Sequence, residues 1–172
     1  MPGYSNEESH GIMLIRAINA TAFSGFDRLM LYWLKDDFPS DYEGLYLTSG
    51  LLYQDKKGGI HPYPAWYYIN TLVNHLGEYI PDAIVSEKGD VWIYRYRHSR
   101  LKNRLAYFLY HPGRRGQKTS NYLFEMPDGV ETMESVEFDR RSKDGIKKRL
   151  KTVNGKILLQ VSEKPVLLMP VD

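Results

Sequence analysis

Apolar residues near the N-terminus recur at the spacing of an amphipathic helix. The apolar face consists of Ile12, Ile15, Ile18 and Ala22. Ser5 and Glu8 have the spacing of a capping box, and Gly25 stands where a residue in the left-handed conformation often ends a helix. The pattern therefore predicts a helix over about residues 6 to 24.

The next segment, RLMLYWL at residues 28–34, follows a different pattern, because its apolar residues do not alternate with polar ones. Such runs are typical of a strand that is buried on both faces, most often in a parallel sheet. A helix followed by a buried strand is half of an α/β repeat. The stretch 35–61 is polar and rich in glycine, so it predicts a long loop, part of which packs through its leucines and tyrosines.

Pro62 and Pro64 open a second helical pattern, AWYYINTLVNHLGEYI at residues 65–80. Its predicted apolar face consists of Trp66, Ile69, Leu72, Val73 and Leu76. The first part of the chain is therefore predicted to form a helix, a strand and a second helix.

From Pro81 onward, runs rich in β-branched and aromatic residues alternate with turn signals such as KGD, PDG and NGK. The eight runs are AIVSE, VWIYRYR, RLAYFLYH, YLFEM, VETMESVEFD, IKKRLKTV, KILLQVSE and PVLLMPV. They predict an antiparallel sandwich of roughly 90 residues, whose last strand, around Leu167, pairs with an interior strand. Alternation in VWIYRYR places Val91 and Ile93 opposite Tyr94 and Tyr96, so one of its faces can pack on the helices.

Composition narrows the class of protein. The 172 residues are 42% hydrophobic and 26% charged, with a mean hydropathy of −0.47, which suits a globular protein. A net charge of +2 gives no global field that recruits nucleic acid or an anionic membrane. There is no cysteine, and the five histidines have neither HxH nor HxxxH spacing, so we expect no metal site and no cofactor.

The N-terminal stretch MPGYSNEESHG has neither the basic nor the apolar region of a signal peptide, and no apolar run approaches the ~20 residues of a membrane span. We therefore expect no membrane partner. The lack of cysteine fits a reducing compartment without excluding export, so the compartment stays open.

Several stretches resemble one family of enzymes. They are EESHGIMLIRAINATAFSGFDRLMLYWLKDD, GLYLTSGLL, PYPAWYYINTLVNHLG, AIVSEKGDVWIYRYR and ILLQVSEKPVLLMPV. In their order along the chain and in their local sequence, they resemble the C-terminal part of clan A glycoside hydrolases. These are retaining enzymes in which a TIM barrel is followed by a β-sandwich. The resemblance implies that residues 6–24 are the seventh barrel helix, FDRLMLYWL the eighth strand and PAWYYINTLVNHLG the eighth helix.

The same resemblance implies a carbohydrate ligand and candidate residues that bind it. Trp33 matches the aromatic residue that commonly stacks under the sugar at the end of the last barrel strand. Asp36 and Asp37 follow it, where they could bind sugar hydroxyls. From the residues alone, Trp33 could equally be a core tryptophan, and adjacent acids after a strand often cap a turn or are solvated.

The resemblance provides no catalytic residue in this chain. A retaining glycosidase needs two carboxyl groups ~5 Å apart, and in this clan they follow the fourth and seventh strands. A full barrel takes about 250 residues, whereas the barrel-like part here is only residues 1–80. We therefore expect glycosidic hydrolysis in the parent protein and an inactive chain that either binds the missing barrel segment or self-associates.

The resulting prediction is an α+β chain. Residues 1–80 form a helix-strand-helix remnant of a (β/α)8 barrel, which packs on an antiparallel β-sandwich of residues 81–172. One rival is a non-catalytic accessory or interaction module. Another is a nucleic-acid platform suggested by RYRHSRLKNRLAYFLYHPGRRGQK. We disfavour nucleic acid because these charges cluster at strand ends and turns, as in solvated hairpin tips.

Overall fold

A computed structural model describes residues 6–26, 28–31, 34–36, 50–113, 116–127, 130 and 132–171. In these residues it contains two helices, α1 (Asn6–Phe23) and α2 (Pro64–Leu76), together with ten strands. The strands are β1 (Leu52–Gln54), β2 (Ile60–Pro62), β3 (Tyr79–Ser86), β4 (Trp92–His98), β5 (Leu105–Tyr110), β6 (Lys118–Glu125), β7 (Thr132–Glu137), β8 (Ile146–Lys151), β9 (Lys156–Ser162) and β10 (Val166–Pro170). Each of the eight predicted strand runs after Pro81 overlaps one of β3 to β10, so their prediction is confirmed.

Six strands form a large antiparallel sheet in the order β3-β4-β5-β10-β7-β8. The last strand in sequence lies inside this sheet, where Leu167 stands opposite Phe108 on one side and Val136 on the other. The predicted pairing of the final strand with an interior strand is thus confirmed. Because β10 joins the β3-β4-β5 half to the β7-β8 half, the sheet is complete only when the end of the chain is in place.

Strands β6 and β9 form a separate two-stranded antiparallel sheet that covers one face of the large sheet. Buried apolar residues alternate with exposed ones along β9, as expected of a sheet with one solvated face. The core between the sheets includes Ile93, Leu109, Phe124, Ile157, Val161 and Leu168. This part of the chain is therefore built as two facing sheets.

The helices cover the opposite face of the large sheet. Tyr94 and Tyr96 of β4 point into this second core together with Phe108 and Leu167, while Ile93 points the other way. The alternation predicted for VWIYRYR is therefore confirmed. The described residues form an α+β structure in which the two helices, the six-stranded sheet and the two-stranded β6–β9 sheet make three layers.

Helix α1 matches its predicted face, because Ile12 and Ile15 are fully buried. The face predicted for α2 is confirmed at Leu72 and Leu76, which are buried. It is wrong at Val73, which is 59% exposed, and it omits Ala65 and Tyr68, which are fully buried. Two local contacts explain the difference. A Cβ atom on Gly11 would stand 3.1 Å from the Ala65 backbone, so the helices meet where both residues are small. The Tyr68 hydroxyl donates a hydrogen bond to Glu8, which lets a polar aromatic residue be buried.

The segment 28–34 departs most from its prediction. Among its described residues, none belongs to a strand, and Met30 and Leu34 are 89% and 64% exposed. The expected burial on both faces is therefore wrong in this chain. A strand is buried on both sides only when neighbours flank it. Among the described residues, backbone contacts are found at the end of the segment, where Leu34 accepts hydrogen bonds from Leu51 and Leu52 and the next residue, Lys35, forms a parallel bridge with Leu52.

Part of the predicted loop 35–61 is ordered, since β1 pairs with β2 and Leu51 is buried. Ser5, Trp33 and Asp37 lie outside the described residues. No helix in the described part of the chain is both long and apolar enough to cross a membrane.

Candidate functional site

Asp36 forms hydrogen bonds that connect two separate segments of the chain at one end of the helical layer. Its side chain is buried, with Oδ1 accepting a hydrogen bond from the Gly50 amide at 2.7 Å and Oδ2 accepting one from the Tyr63 hydroxyl at 2.9 Å. A Cβ atom on Gly50 would stand 2.6 Å from Oδ1, so the approach requires glycine. The carboxylate therefore ties the end of the segment 34–36 to the start of α2.

The pKa values of two side chains near Asp36, Tyr63 and His10, are shifted from their usual values. Burial raises the pKa of Tyr63 well above its usual value, and the hydrogen bond to Asp36 adds to the shift. The hydroxyl thus remains a donor throughout the physiological range. Burial also lowers the pKa of His10, although the negative charge of Asp36 acts in the opposite direction. His10 is therefore mainly neutral at pH 7.

The β1–β2 hairpin adds an aromatic wall beside this carboxylate. The Tyr53 ring lies 4.8 Å from the Tyr63 ring and 5.2 Å from the His61 ring, measured between centroids. His61 Nε2 lies 2.7 Å from Asp55 Oδ2, and this hydrogen bond, with others from the Gly59 and Lys57 amides, holds the pKa of Asp55 below its usual value. The three rings therefore form one row fixed at its outer end by Asp55.

A cleft of about 490 Å³ opens in front of the wall. Its lining residues are Glu7, Tyr53, Pro62, Tyr63, Pro64, Arg140 and Arg141. Glu7 belongs to the first turn of α1 and Pro64 to the first turn of α2, so the N-terminal ends of both helices meet here. The arginines come from the connection between β7 and β8. Aromatic faces, a carboxylate and two guanidinium groups thus surround a space that could hold a polar ligand.

The structure places one of the three predicted ligand-binding residues, Asp36, at this site. Its carboxylate is only 4% exposed and is used by Gly50 and Tyr63, so it shapes the site rather than facing the open cleft. Sequence reasoning missed Tyr53, Tyr63 and the arginines. The prolines on both sides of Tyr63 in PYP were a sequence signal that this tyrosine has a fixed position. The arginines gave no such signal, because their pattern is that of an ordinary charged turn.

The described residues offer less support for a metal site or a nucleic-acid interface. No group of three metal-ligating side chains occurs among the described residues. In the basic stretch that suggested nucleic acid, Arg95 and Arg97 both lie against Asp82, at 2.6 Å and 3.5 Å. Their charge is therefore partly compensated within the sheet.

No family model and no curated protein matches this sequence. Among solved structures, the chain is similar to a family 39 glycoside hydrolase from the gut symbiont Bacteroides cellulosilyticus WH2, with a TM-score of 0.73 and 14% identity. The match covers 97% of this chain and 31% of the other. A GH30 endoxylanase from Clostridium papyrosolvens C71 matches with a TM-score of 0.48 and 15% identity, over 64% of this chain and 28% of the other.

This chain thus spans less than a third of the length of either protein. At 14% identity, the likeness to the family 39 structure is a likeness of fold. Two helices on a large antiparallel sheet form an arrangement that also occurs within a glycoside hydrolase. The resemblance drawn from the sequence is supported at that level.

Proposed function

We propose that this chain is the C-terminal portion of a glycoside hydrolase whose barrel is completed by residues outside this sequence. The observation that carries the proposal is the match of 97% of the chain to part of a family 39 glycoside hydrolase at a TM-score of 0.73. The reaction assigned to the complete protein is hydrolysis of a glycosidic bond in a carbohydrate. We assign no catalytic residue to this chain.

The placement of the helices supports a barrel origin for residues 1–80. In a (β/α)8 barrel, each helix follows a strand, and active sites form where the strands end and the next helices begin. Here the starts of α1 and α2 meet at one cleft, and Asp36 beside it binds Tyr63 at the start of α2. We assign residues 1–80 to the barrel and 81–172 to the sandwich.

The exposed apolar residues of the first part also support this origin. They are Phe26, Leu29, Met30, Leu31 and Leu34. Contiguous apolar residues of this kind usually mark a surface that another element covers. In the proposal, they face the remaining barrel strands, and the missing barrel segment is the natural partner of this chain.

Within the completed site, we propose that Trp33 provides an aromatic face for the sugar and that Asp37 binds its hydroxyl groups. Asp36 contributes by holding Tyr63 and Gly50 in place, as its two hydrogen bonds indicate. In this proposal, the missing segment provides the pair of carboxyl groups, on different barrel strands, that retaining hydrolysis requires.

Complementation tests the proposal. The chain is assayed alone and together with the polypeptide encoded directly upstream of Met1, using a panel of aryl glycosides. We expect turnover only for the pair, and a loss of at least tenfold in kcat/KM for Trp33→Ala. Trp92→Ala is the matched control, because Trp92 lies on β4 and does not line the cleft.

Turnover by the chain alone would overturn the proposal. A complex that forms but cleaves no glycoside would instead favour a non-catalytic interaction module.

A further inference from the structure

The small β6–β9 sheet covers only part of the large sheet. Phe124 of β6 packs on Tyr107 of β5, with ring centroids 4.9 Å apart, so β6 lies over the middle of the large sheet. On the other side of the small sheet, β9 and β8 are the walls of a groove. Two adjoining cavities of about 230 and 660 Å³ follow it, and Leu150 and Leu158 line both of them. We call this space the β8–β9 groove.

One edge of β9 is open along this groove. The Lys156 amide donates to the Val153 carbonyl at 3.1 Å, and the Val153 amide donates to the Lys156 carbonyl at 2.9 Å, so both backbone groups of Lys156 point away from β6. Every second residue of an antiparallel strand points its N–H and C=O groups to the same side. Leu158 and Gln160 therefore also point away from β6. Within the described residues, β6 is the only strand that pairs with β9.

The β8–β9 groove has a net positive charge. Lys148, Arg149 and Lys151 of β8 line it, and no ion pair of these side chains is found within the described part of the chain. Glu137 is the one acidic residue among the described lining residues. An edge surrounded by such charges resists pairing with a second copy of itself, because like charges would stand opposite each other.

The groove also offers apolar contacts. Leu150 packs against the core between the two sheets, while Leu158 and Val153 are 58% and 73% exposed. Successive side chains of a strand point to opposite faces. A strand that pairs with β9 would therefore place one set of side chains over Leu150 and present the other set at its opposite face.

We propose that the β8–β9 groove binds an extended acidic segment of a partner protein, which adds to the free edge of β9 as a third strand. Main-chain hydrogen bonds to Leu158 and Gln160 hold the segment, and the cations of β8 select acidic side chains. Strand β9 has seven residues, and a partner segment of that length matches it. The groove lies on the sandwich face opposite the helices, so this interaction is separate from glycoside hydrolysis.

Three synthetic heptapeptides with blocked ends test the proposal on the complete 172-residue chain. Glutamate and valine alternate in the first, lysine replaces glutamate in the second, and proline replaces the central valine of the first in the third. Fluorescence anisotropy should show that the glutamate peptide binds about tenfold more tightly than the lysine peptide and weakens as salt is raised. The proline peptide should bind about tenfold more weakly than the glutamate peptide, because proline lacks an N–H donor and interrupts strand pairing.

Amide hydrogen exchange reports whether the bound peptide pairs with β9. Binding of the glutamate peptide should slow exchange of the Leu158 and Gln160 amides about tenfold, because each gains a hydrogen-bond partner or cover. The amides at the edge of β3, the opposite end of the large sheet, should be unchanged. An electrostatic complex without strand pairing would not produce this pattern.

A matched pair of variants tests the role of the β8 cations. Arg149→Gln/Lys151→Gln should bind the glutamate peptide about fivefold more weakly, because two charges beside the acidic side chains are lost. Arg100→Gln/Lys102→Gln is the control, since it removes the same two residue types at the same spacing from an exposed site that does not line the groove. It should retain the affinity.

Equal binding of the glutamate and lysine peptides, unchanged exchange of Leu158 and Gln160, or an equal loss in the control variant would each overturn the inference. A heparin oligosaccharide that binds more tightly than the peptide would identify a general anion site and overturn the assignment to a peptide strand. The polypeptide encoded upstream of Met1 should not compete with the glutamate peptide. Competition would show that a strand of the same enzyme fills the groove and would overturn a separate partner.

Discussion

The contacts of Asp36 show what sequence spacing leaves out. In the sequence, Asp36 stands out because it follows an apolar run that ends in an aromatic residue and two acids. Its partners are Gly50 and Tyr63, which are 14 and 27 residues away. Sequence spacing carries no information about such long-range hydrogen bonds, so the tyrosine that completes the interaction could not be chosen among the 14 in the chain.

The hydrogen bond between Tyr63 and Asp36 gives a prediction at this scale. Tyr63→Phe removes the hydroxyl that donates to Asp36 Oδ2, so one oxygen of this buried carboxylate loses its hydrogen bond. We expect the free energy of unfolding to fall by about 1.5–3 kcal/mol, as is usual for hydrogen bonds to charged groups. Urea denaturation monitored by circular dichroism measures the change.

Tyr67→Phe is the matched control, since no hydrogen bond of the Tyr67 hydroxyl is found within the described residues and the residue is also on the first turns of α2. It should change stability by much less. Equal effects of the two substitutions would show that the Asp36 contact contributes nothing specific.

At the scale of elements, the close contact of α1 and α2 depends on Gly11. A methyl group there would lie 2.8 Å from Tyr68 Cδ2 and 3.1 Å from the Ala65 backbone. Gly11→Ala should therefore lower the free energy of unfolding by up to about 2 kcal/mol, because an overpacking cost of ~1–3 kcal/mol outweighs the ~1 kcal/mol gain in helix propensity.

Thermal unfolding measures this effect. Ala17→Ser is the control, because residue 17 is exposed on the same helix and adds no contact with α2. A Gly11→Ala protein that melts at a higher temperature would show that the helices can separate slightly without loss.

The packing of β4 against α1 predicts a dependence on alkaline pH. Burial raises the pKa of Tyr96, whose hydroxyl donates a hydrogen bond to Asn19 at 2.8 Å. In the unfolded chain, the pKa returns to about 10, so above that pH the unfolded state binds fewer protons than the native state. The stabilisation is complete below pH 10 and is lost as the pH rises above it.

Guanidinium unfolding at pH 8 to 11 measures this loss. For each tyrosine with a raised pKa, the slope is at most about 1.4 kcal/mol per pH unit. Tyr96→Phe should be less stable at pH 8 but should lose stability more slowly above pH 10. Parallel curves for the two proteins would contradict the assignment.

The elements show where sequence reasoning succeeds. Alternation and turn residues predict the eight strands after Pro81 because each is a local property of the chain. The order of the strands is not local, and nothing in the sequence shows that β6 and β9 leave the main sheet. On α2, Leu72 and Leu76 are buried as predicted. Apolar size does not reveal the other two buried residues, because Ala65 is buried by its fit to Gly11 and Tyr68 with its hydrogen bond to Glu8.

At the scale of the whole molecule, the sequence predicts two parts, and the structure adds that they share a core. Ile12 and Leu72 of the helices pack in one cluster with Tyr94 and Leu167 of the sheet. The cleft depends on the same arrangement, since the β7–β8 connection reaches it only along α2. A cleft made by two distant parts of the chain has no signature in either part alone.

The exposed apolar segment gives the last prediction. Met30 and Leu34 are 89% and 64% exposed, and Leu29 and Leu31 add to the same stretch. Covering such residues is favourable by ~25 cal/mol per Å² of buried apolar surface. In the absence of the proposed barrel segment, a second copy of the chain provides the nearest apolar surface, so the isolated chain should self-associate.

Sedimentation velocity at several concentrations should therefore show a concentration-dependent increase in mass. Met30→Lys/Leu34→Lys should shift the chain toward the monomer, because a charge cannot be buried in such a contact without a large cost. Val153→Lys/Leu158→Lys, which removes two apolar residues that are 73% and 58% exposed on the sandwich, should leave the association unchanged. The associated chain should still cleave no aryl glycoside, since copies of one segment do not supply the missing carboxyl pair. A protein that stays monomeric at every concentration and cleaves the substrate would place the chemistry within these residues and contradict the proposed division of the enzyme.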